Sequence, residues 1–299
     1  MLLSGHGDQV LTVRFSPGEG KAIASGSHDK RIFLWQTYGE CDNYAVLTGH
    51  KNAVIELHWL ADGEHLVSCS SDKTVRTWDA VTGEAIARLN QHKAIVNSCH
   101  PIKRGPPLVV SGSDDCTARV WDTRARGAAR TLSERFPITA VCMSEGGDQV
   151  YTGGIENVVR VWDLRRDEPI LTLQGHQDTI TGMSLSPDGT RILSNSMDNT
   201  LRMWDVRPFA PSERCVQIFK GHQHGFERSL LRCSWSPDGS KVTSGSADRV
   251  VYMWNASTAE IQYALPGHKG SVLESIFHPK EPIVASCSAD KTIYLGELA

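Results

Sequence analysis

A histidine, a serine, an aspartate and a tryptophan stand at matching offsets in this chain, as in His50, Ser68, Asp72 and Trp78. A histidine held by a carboxylate and bonded to a hydroxyl is the arrangement that activates a serine nucleophile, so acyl transfer is the first chemistry to weigh. The set recurs as His6, Ser25, Asp29 and Trp35; as His92, Ser111, Asp115 and Trp121; as His176, Ser194, Asp198 and Trp204; and as His222, Ser244, Asp248 and Trp254. His268, Ser286 and Asp290 form a further set, with Gly296 where tryptophan is expected. An active site needs one constellation, and repetition in nearly every unit argues for structure instead. The aspartate is expected to accept bonds in a tight turn and orient the histidine, which bridges through the hydroxyl to the indole N–H. Loss of one partner then costs about 1–3 kcal/mol for the buried group left unpaired.

No other chemistry is encoded. There is no GxxxxGK[ST], no strand-coupled GxGxxG, no HExxH and no GxSxG. The remaining histidines (His28, His58, His65, His100, His224, His278) lack metal-ligand spacing. The expectation is a protein with no catalytic site, no cofactor and no metal.

The elements that must position these residues follow from the repeat. Trp35, Trp78, Trp121, Trp162, Trp204 and Trp254 are each followed by Asp, Asn or Gln, at intervals of 43, 43, 41, 42 and 50 residues. Gly-His pairs at His6, His50, His176, His222 and His268, with Gln91-His92, keep the same period. A unit of this length with strand runs, Ser-Pro-Asp-Gly-like turns (Ser16–Gly18, Ser186–Gly189, Ser236–Gly239) and a closing Trp-Asp corresponds to one four-stranded propeller blade. The fold expected is all-β, a single seven-bladed β-propeller over residues 1–299, with repeats at about 5–36, 49–79, 91–122, 133–163, 175–205, 221–255 and 267–297. The pattern starts in mid-blade, so Met1–Leu3 should supply the outer strand of the blade built from about Leu273 to Leu298 and close the ring.

Bulk properties exclude several classes. The net charge is −3 with 22% charged residues, which gives no global case for binding duplex nucleic acid. No window approaches the ~18 consecutive apolar residues of a membrane span. Eight cysteines without a CxxC pair suit a reducing compartment.

Departures from the repeat are where binding is sought. In the fourth unit Ser133-Glu134-Arg135-Phe136 replaces Gly-His and Glu156 replaces the turn aspartate, so this blade and the last, which lacks tryptophan, should be the least rigid. Trp204 to His222 is 18 residues where other units use 14 or 15, and His222 to Pro237 is 15 where His176 to Pro187 is 11. These insertions carry Arg207, Phe209, Phe226 and Arg228, the composition of interface anchors. A longer packed connection is the alternative. The residue before each turn aspartate forms a ring of His28, Ser71, Asp114, Ile155, Met197, Ala247 and Ala289. It is polar in the first three blades and apolar in the rest, which centres protein contact near Ile155 and Met197. A basic stretch, Arg119, Arg124, Arg126, Arg130 and Arg135, is a candidate for peripheral RNA contact.

The repeats identify the chain as similar to the WD-repeat family. Leu2-Leu3-Ser4-Gly5-His6, Tyr38–Tyr44, Lys103–Pro106, Gly153–Asn157, Asp205–Pro211 and Leu230–Gly239 lie largely outside that consensus and resemble the WD-repeat subunits of the spliceosomal U5 small nuclear ribonucleoprotein. The resemblance implies a nuclear scaffold of pre-mRNA splicing, monomeric within a large complex. It further implies association with the large U5 core protein and, through it, with the helicase and the elongation-factor-like GTPase. Longer members of that group carry a basic leader before the Leu-Leu-Ser-Gly-His segment. A second reading, substrate receptor of a cullin-type ubiquitin ligase, rests on three Trp-Asp-x-Arg motifs, Trp121–Arg124, Trp162–Arg165 and Trp204–Arg207.

Overall fold

The computed structural model describes residues 1–299 except 126, 167 and 299. Seven four-stranded antiparallel sheets follow one another around a central channel. In the first, strands a to d are Val10–Phe15, Ala22–Ser27, Arg31–Gln36 and Asn43–Thr48, from the channel outwards. Burial is greatest in strand b and least in strand d. Strand b is almost wholly buried because it is covered on both faces by neighbouring blades, whereas in strand d only Leu47 is buried. Small residues in strand b let the next blade approach: a Cβ on Gly26 would lie 2.8 Å from Val54 and 2.9 Å from Thr12.

Each blade is glued to the next by an apolar layer. Ala24, Ile32, Leu34 and Leu47 of the first pack on Val54, Leu57, Leu66 and Trp78 of the second. Burying such side chains contributes about 1.5–3 kcal/mol each. The tryptophan of strand c sits where the pairing with strand d slips by one residue, as between Leu34 and Trp35, a bulge that turns the indole into the interface. The ring closes as expected: Leu2, Leu3 and Ser4 pair with Tyr294, Ile293 and Thr292, and Leu295 N–H donates to the Met1 carbonyl at 2.8 Å.

Because strands alternate in direction, b–c turns and d–a connections leave every sheet at one end, and a–b and c–d turns at the other. We call these the aspartate face and the proline face, after their turn residues.

Charge crosses the channel between them. Arg232 of the sixth blade donates to the Asn97 carbonyl at 2.6 Å in the third and lies 3.5 Å from Glu56 in the second. Arg14 pairs with Glu274 and, at 3.4 Å, with Glu56. Burial alone would raise the Glu56 carboxyl, but Arg232, His58 and Arg14 outweigh it and hold it well below the usual carboxylate range.

Candidate functional site

In the first blade His6 Nδ1 lies 2.9 Å from Asp29 Oδ2 and Nε2 2.8 Å from Ser25 Oγ, to which Trp35 Nε1–H donates at 2.8 Å. The second blade repeats this to within 0.1 Å through His50, Asp72, Ser68 and Trp78. In the third, His92 lies 2.9 Å from Asp115 and 2.8 Å from Ser111 Oγ, which accepts from Trp121 at 2.7 Å. In the fifth, His176 lies 2.9 Å from Asp198 and 2.7 Å from Ser194 Oγ, which accepts from Trp204 at 2.7 Å.

The indole can only donate, which fixes the proton order. Trp N–H donates to Ser Oγ, Ser O–H to His Nε2, and His Nδ1–H to the carboxylate. A neutral imidazole satisfies every link. Burial pulls the basicity of His6, His50 and His92 down and keeps them neutral, against the opposing pull of their aspartates. Burial would raise Asp115, but bonds from Thr117, the Lys93 amide and His92 lower it to about 2. Ser25, Ser68, Ser111 and Ser194 are all 0% exposed, so their hydroxyls meet no substrate. The triad-like chemistry that His-Ser-Asp sets could perform is therefore closed to Ser111 and Ser194 as it is to Ser25 and Ser68. In the seventh blade His268 keeps Asp290 at 3.0 Å and Ser286 at 2.9 Å, and the Tyr294 ring, edge-on to His268 at 4.6 Å, packs there.

The fourth blade fills the same space with other residues. Glu134 stands 18 residues before Thr152, the spacing of His50 to Ser68. Trp162 Nε1–H donates to Thr152 Oγ1 at 2.8 Å, Thr152 donates to Glu134, and Arg160 bonds Glu134 and, at 2.5 Å, Glu156. A carboxylate replaces the imidazole and an arginine clamps both acids. Replacing the histidine and the turn aspartate was expected to remove parts of the network; other residues rebuild it instead. A Glu in the histidine position with an Arg eight residues after the hydroxyl was the available signal.

The sixth blade corrects the opposite expectation. His222, Ser244, Asp248 and Trp254 are all present but do not form a relay. His222 Nε2 meets Asn195 Oδ1 at 2.7 Å in the fifth blade, and Trp254 Nε1–H donates to the Lys220 carbonyl at 3.0 Å. Asp248 accepts from Tyr252 O–H at 2.8 Å, and Ser244 Oγ accepts from Asn195 Nδ2 at 3.1 Å. The inserted residues lengthen the path from His222 to Ser244 to 22 residues, against 18 or 19 elsewhere, and carry the ring away. Strand a shrinks to Cys233–Trp235.

The loop candidates fall on two faces. His28, Asp114, Ile155 and Met197 lie in b–c turns of the aspartate face. His28 is tied to Asp8 at 3.1 Å and Asp114 accepts from Asn97 at 2.6 Å, whereas Ile155 is 48% exposed and Met197 half-buried. Phe226 and Arg228 belong to a d–a connection and share that face, with Phe226 fully exposed. Their loop is built rather than loose: Gln223 N–H donates to Ser246 Oγ at 2.9 Å, His224 N–H to Asn199 Oδ1 at 2.7 Å, and Arg228 turns with φ 49°. Arg207 and Phe209 lie in a c–d excursion of the proline face, where Phe209 is 99% exposed. Sequence proximity groups the two insertions; strand direction separates them.

The basic stretch does not assemble. Arg119 lies on strand c, 3.3 Å from Gln91, Arg124 is held by Asp122 on the proline face, and Arg130 lies on strand d. Arg135 covers Phe136 on the aspartate face, and Arg126 falls outside the described residues. In the Trp-Asp-x-Arg motifs, Arg124 and Arg207 chelate their own aspartates, with Nη–Oδ2 distances of 2.7 and 2.5 Å. Arg165 caps Asp163 through its backbone N–H at 2.8 Å.

The chain matches the model of the WD domain, G-beta repeat, seven times, at residues 1–36, 41–79, 83–122, 129–163, 167–205, 213–255 and 259–295. It is 52% identical over 299 residues to a Dictyostelium discoideum protein named U5 small nuclear ribonucleoprotein 40 kDa protein, covering 100% of this chain and 84% of that one. The human protein of the same name is 53% identical over 298 residues, with 100% and 83% covered. Pre-mRNA-splicing factor cwf17 of Schizosaccharomyces pombe is 45% identical over 294 residues, with 98% and 86% covered.

Proposed function

We propose, because the chain belongs to the WD-repeat family and matches the U5 40 kDa proteins over its whole length, that it is a non-catalytic scaffold of pre-mRNA splicing, a component of the U5 small nuclear ribonucleoprotein. The observation that carries this is identity above 50% over the whole length of this chain. The relays support a scaffold. Their buried hydroxyls and neutral imidazoles are used up in holding strand c to the b–c turn, which leaves the loops to do the binding.

The whole chain acts as one domain, placed in the nucleus. Its protein contacts centre on the aspartate face at Ile155 and Met197, joined there by Phe226 and Arg228, with Arg207 and Phe209 forming a separate anchor on the proline face. The large U5 core protein is the direct partner, and the helicase and elongation-factor-like GTPase are reached through it. A rigid ring with an exposed phenylalanine on each face, Phe226 on one and Phe209 on the other, suits simultaneous contact with two surfaces. The cullin-adaptor reading is not favoured, since two of its three arginines are closed onto their own aspartates and the relatives are splicing proteins.

The test is affinity purification of the tagged chain from nuclear extract, with half the sample RNase-treated, followed by mass spectrometry. Recovery of U5 core proteins in both halves is expected. Recovery of a cullin adaptor in their place, or of neither, would overturn the reading.

A further inference from the structure

The aspartate face carries its charge unevenly. The residue after the relay histidine is Lys51, Lys93 and Lys269 in the second, third and seventh blades, and the residue after the turn aspartate is Lys30, Lys73 and Lys291 in the first, second and seventh. All six side chains are exposed. Among the described residues none is ion-paired, and only Lys291 is bonded, its Nζ donating to the Gly7 carbonyl at 2.9 Å. The equivalent positions of the fourth and fifth blades are Arg135, Asn157, Gln177 and Asn199. That side of the face instead exposes Phe136 and Ile155.

The lysines are presented from fixed backbone. Lys51, Lys93 and Lys269 donate their N–H groups to Asp72, Asp115 and Asp290 at 2.9, 2.9 and 2.8 Å. Lys30, Lys73 and Lys291 occupy left-handed turn positions with φ of 74°, 69° and 73°. The acids beneath them are spent on the relays: the side chains of Asp29, Asp72 and Asp290 are only 13%, 5% and 10% exposed. Flexible ammonium groups therefore stand above sequestered carboxylates, an arc that the net charge of −3 conceals.

We propose that this lysine arc, running from the seventh blade through the first and second to the edge of the third, binds the phosphate backbone of RNA without reading its sequence. The proposal rests on the ribonucleoprotein reading above. Two points of chemistry select RNA over an acidic protein. Lysine is depleted in protein interfaces, where holding its flexible stem and stripping its hydration are costly, whereas phosphate contacts reward a point charge by releasing counterions. No aromatic platform lies among the six lysines, so bases are not stacked and sequence is not read. The relay aspartates below temper the field, which sets the affinity in the weak, salt-sensitive range of roughly 10–100 µM at low salt.

The test is fluorescence anisotropy of a labelled 20-nucleotide oligouridine with the full chain, beside a labelled 20-residue polyglutamate as an equal-charge protein mimic. With three or four lysines engaged, the slope of log K against log salt should be about −2 to −3. The triple variant Lys51→Glu, Lys73→Glu, Lys269→Glu should weaken RNA binding at least ten-fold with an unchanged melting curve, and Arg165→Glu on the proline face should leave it within two-fold. The absence of oligouridine binding at 50 mM salt, an unaffected triple variant, or equal binding of polyglutamate would each overturn the proposal, the last in favour of an acidic protein segment. Recovery of U5 proteins by the triple variant after RNase treatment reports separately on the scaffold reading.

Discussion

The fourth and sixth blades depart from the repeat in opposite ways. The fourth loses the histidine and the turn aspartate yet keeps an unbroken chain from its indole to a carboxylate, through Thr152 and Glu134 with Arg160 as clamp. The sixth keeps all four residues yet breaks the chain, because four extra residues before strand a move His222 to Asn195 and leave Trp254 on a backbone carbonyl. What is maintained is satisfaction of a buried indole N–H, and different residues achieve it. Where the path of the d–a connection is unchanged, residues can be exchanged without loss. Where that path lengthens, the same residues no longer meet.

The largest expected effect is in the fourth blade. Thr152→Val keeps the shape but leaves Trp162 N–H without an acceptor and strips Glu134 of one of its two donors, Arg160 being the other, about 3 kcal/mol by denaturant unfolding, matching Ser68→Ala in an intact relay. A cost below 1 kcal/mol would mean that the fourth blade has no working substitute. Arg160→Met follows at about 2 kcal/mol, since it leaves two half-buried carboxylates facing each other, partly relieved by solvent at Glu156.

The sixth blade should contribute strongly to the acid side of the stability profile. Burial, with repulsion from His224, holds His222 down to about 3, and burial holds His224 at about 4. Both stay neutral where the unfolded chain, titrating near 6.5, takes up protons. Their contribution is therefore full above about pH 6.5 and is lost as pH falls towards 4. His224→Gln should flatten that slope by about 1–2 kcal/mol between pH 7 and 5; a slope identical to the parent would contradict the burial of this ring. The smallest effect is Ser244→Ala, under about 1 kcal/mol, because Ser244 bridges no relay. A loss equal to that of Ser68→Ala would restore the relay that the structure denies.

Much of the fold was legible because it repeats. The tryptophan period, the Gly-His pairs and the mid-blade start together led to seven blades and to closure by Leu2–Ser4. The relays through Ser25, Ser68, Ser111 and Ser194 were readable from spacing for the same reason. What escaped depends on contacts that no local pattern encodes. Arg232 finds the Asn97 carbonyl 135 residues away, across a channel that exists only once the ring is closed. The separation of Phe209 from Phe226 follows from counting strands, since one strand d lies between them and reverses the direction of the chain. The 22-residue gap from His222 to Ser244 was itself the sign that the sixth relay could not form.

The central claim is that relays hold the ring while the aspartate face binds protein. It is tested most directly by comparing tagged Met197→Glu, Phe209→Ala and the parent for recovery of U5 core proteins from RNase-treated nuclear extract, with melting curves measured alongside. Met197→Glu is expected to lose most of the recovery with an unchanged melting curve. Full recovery by Met197→Glu, or a loss that only tracks a lowered melting temperature, would contradict it.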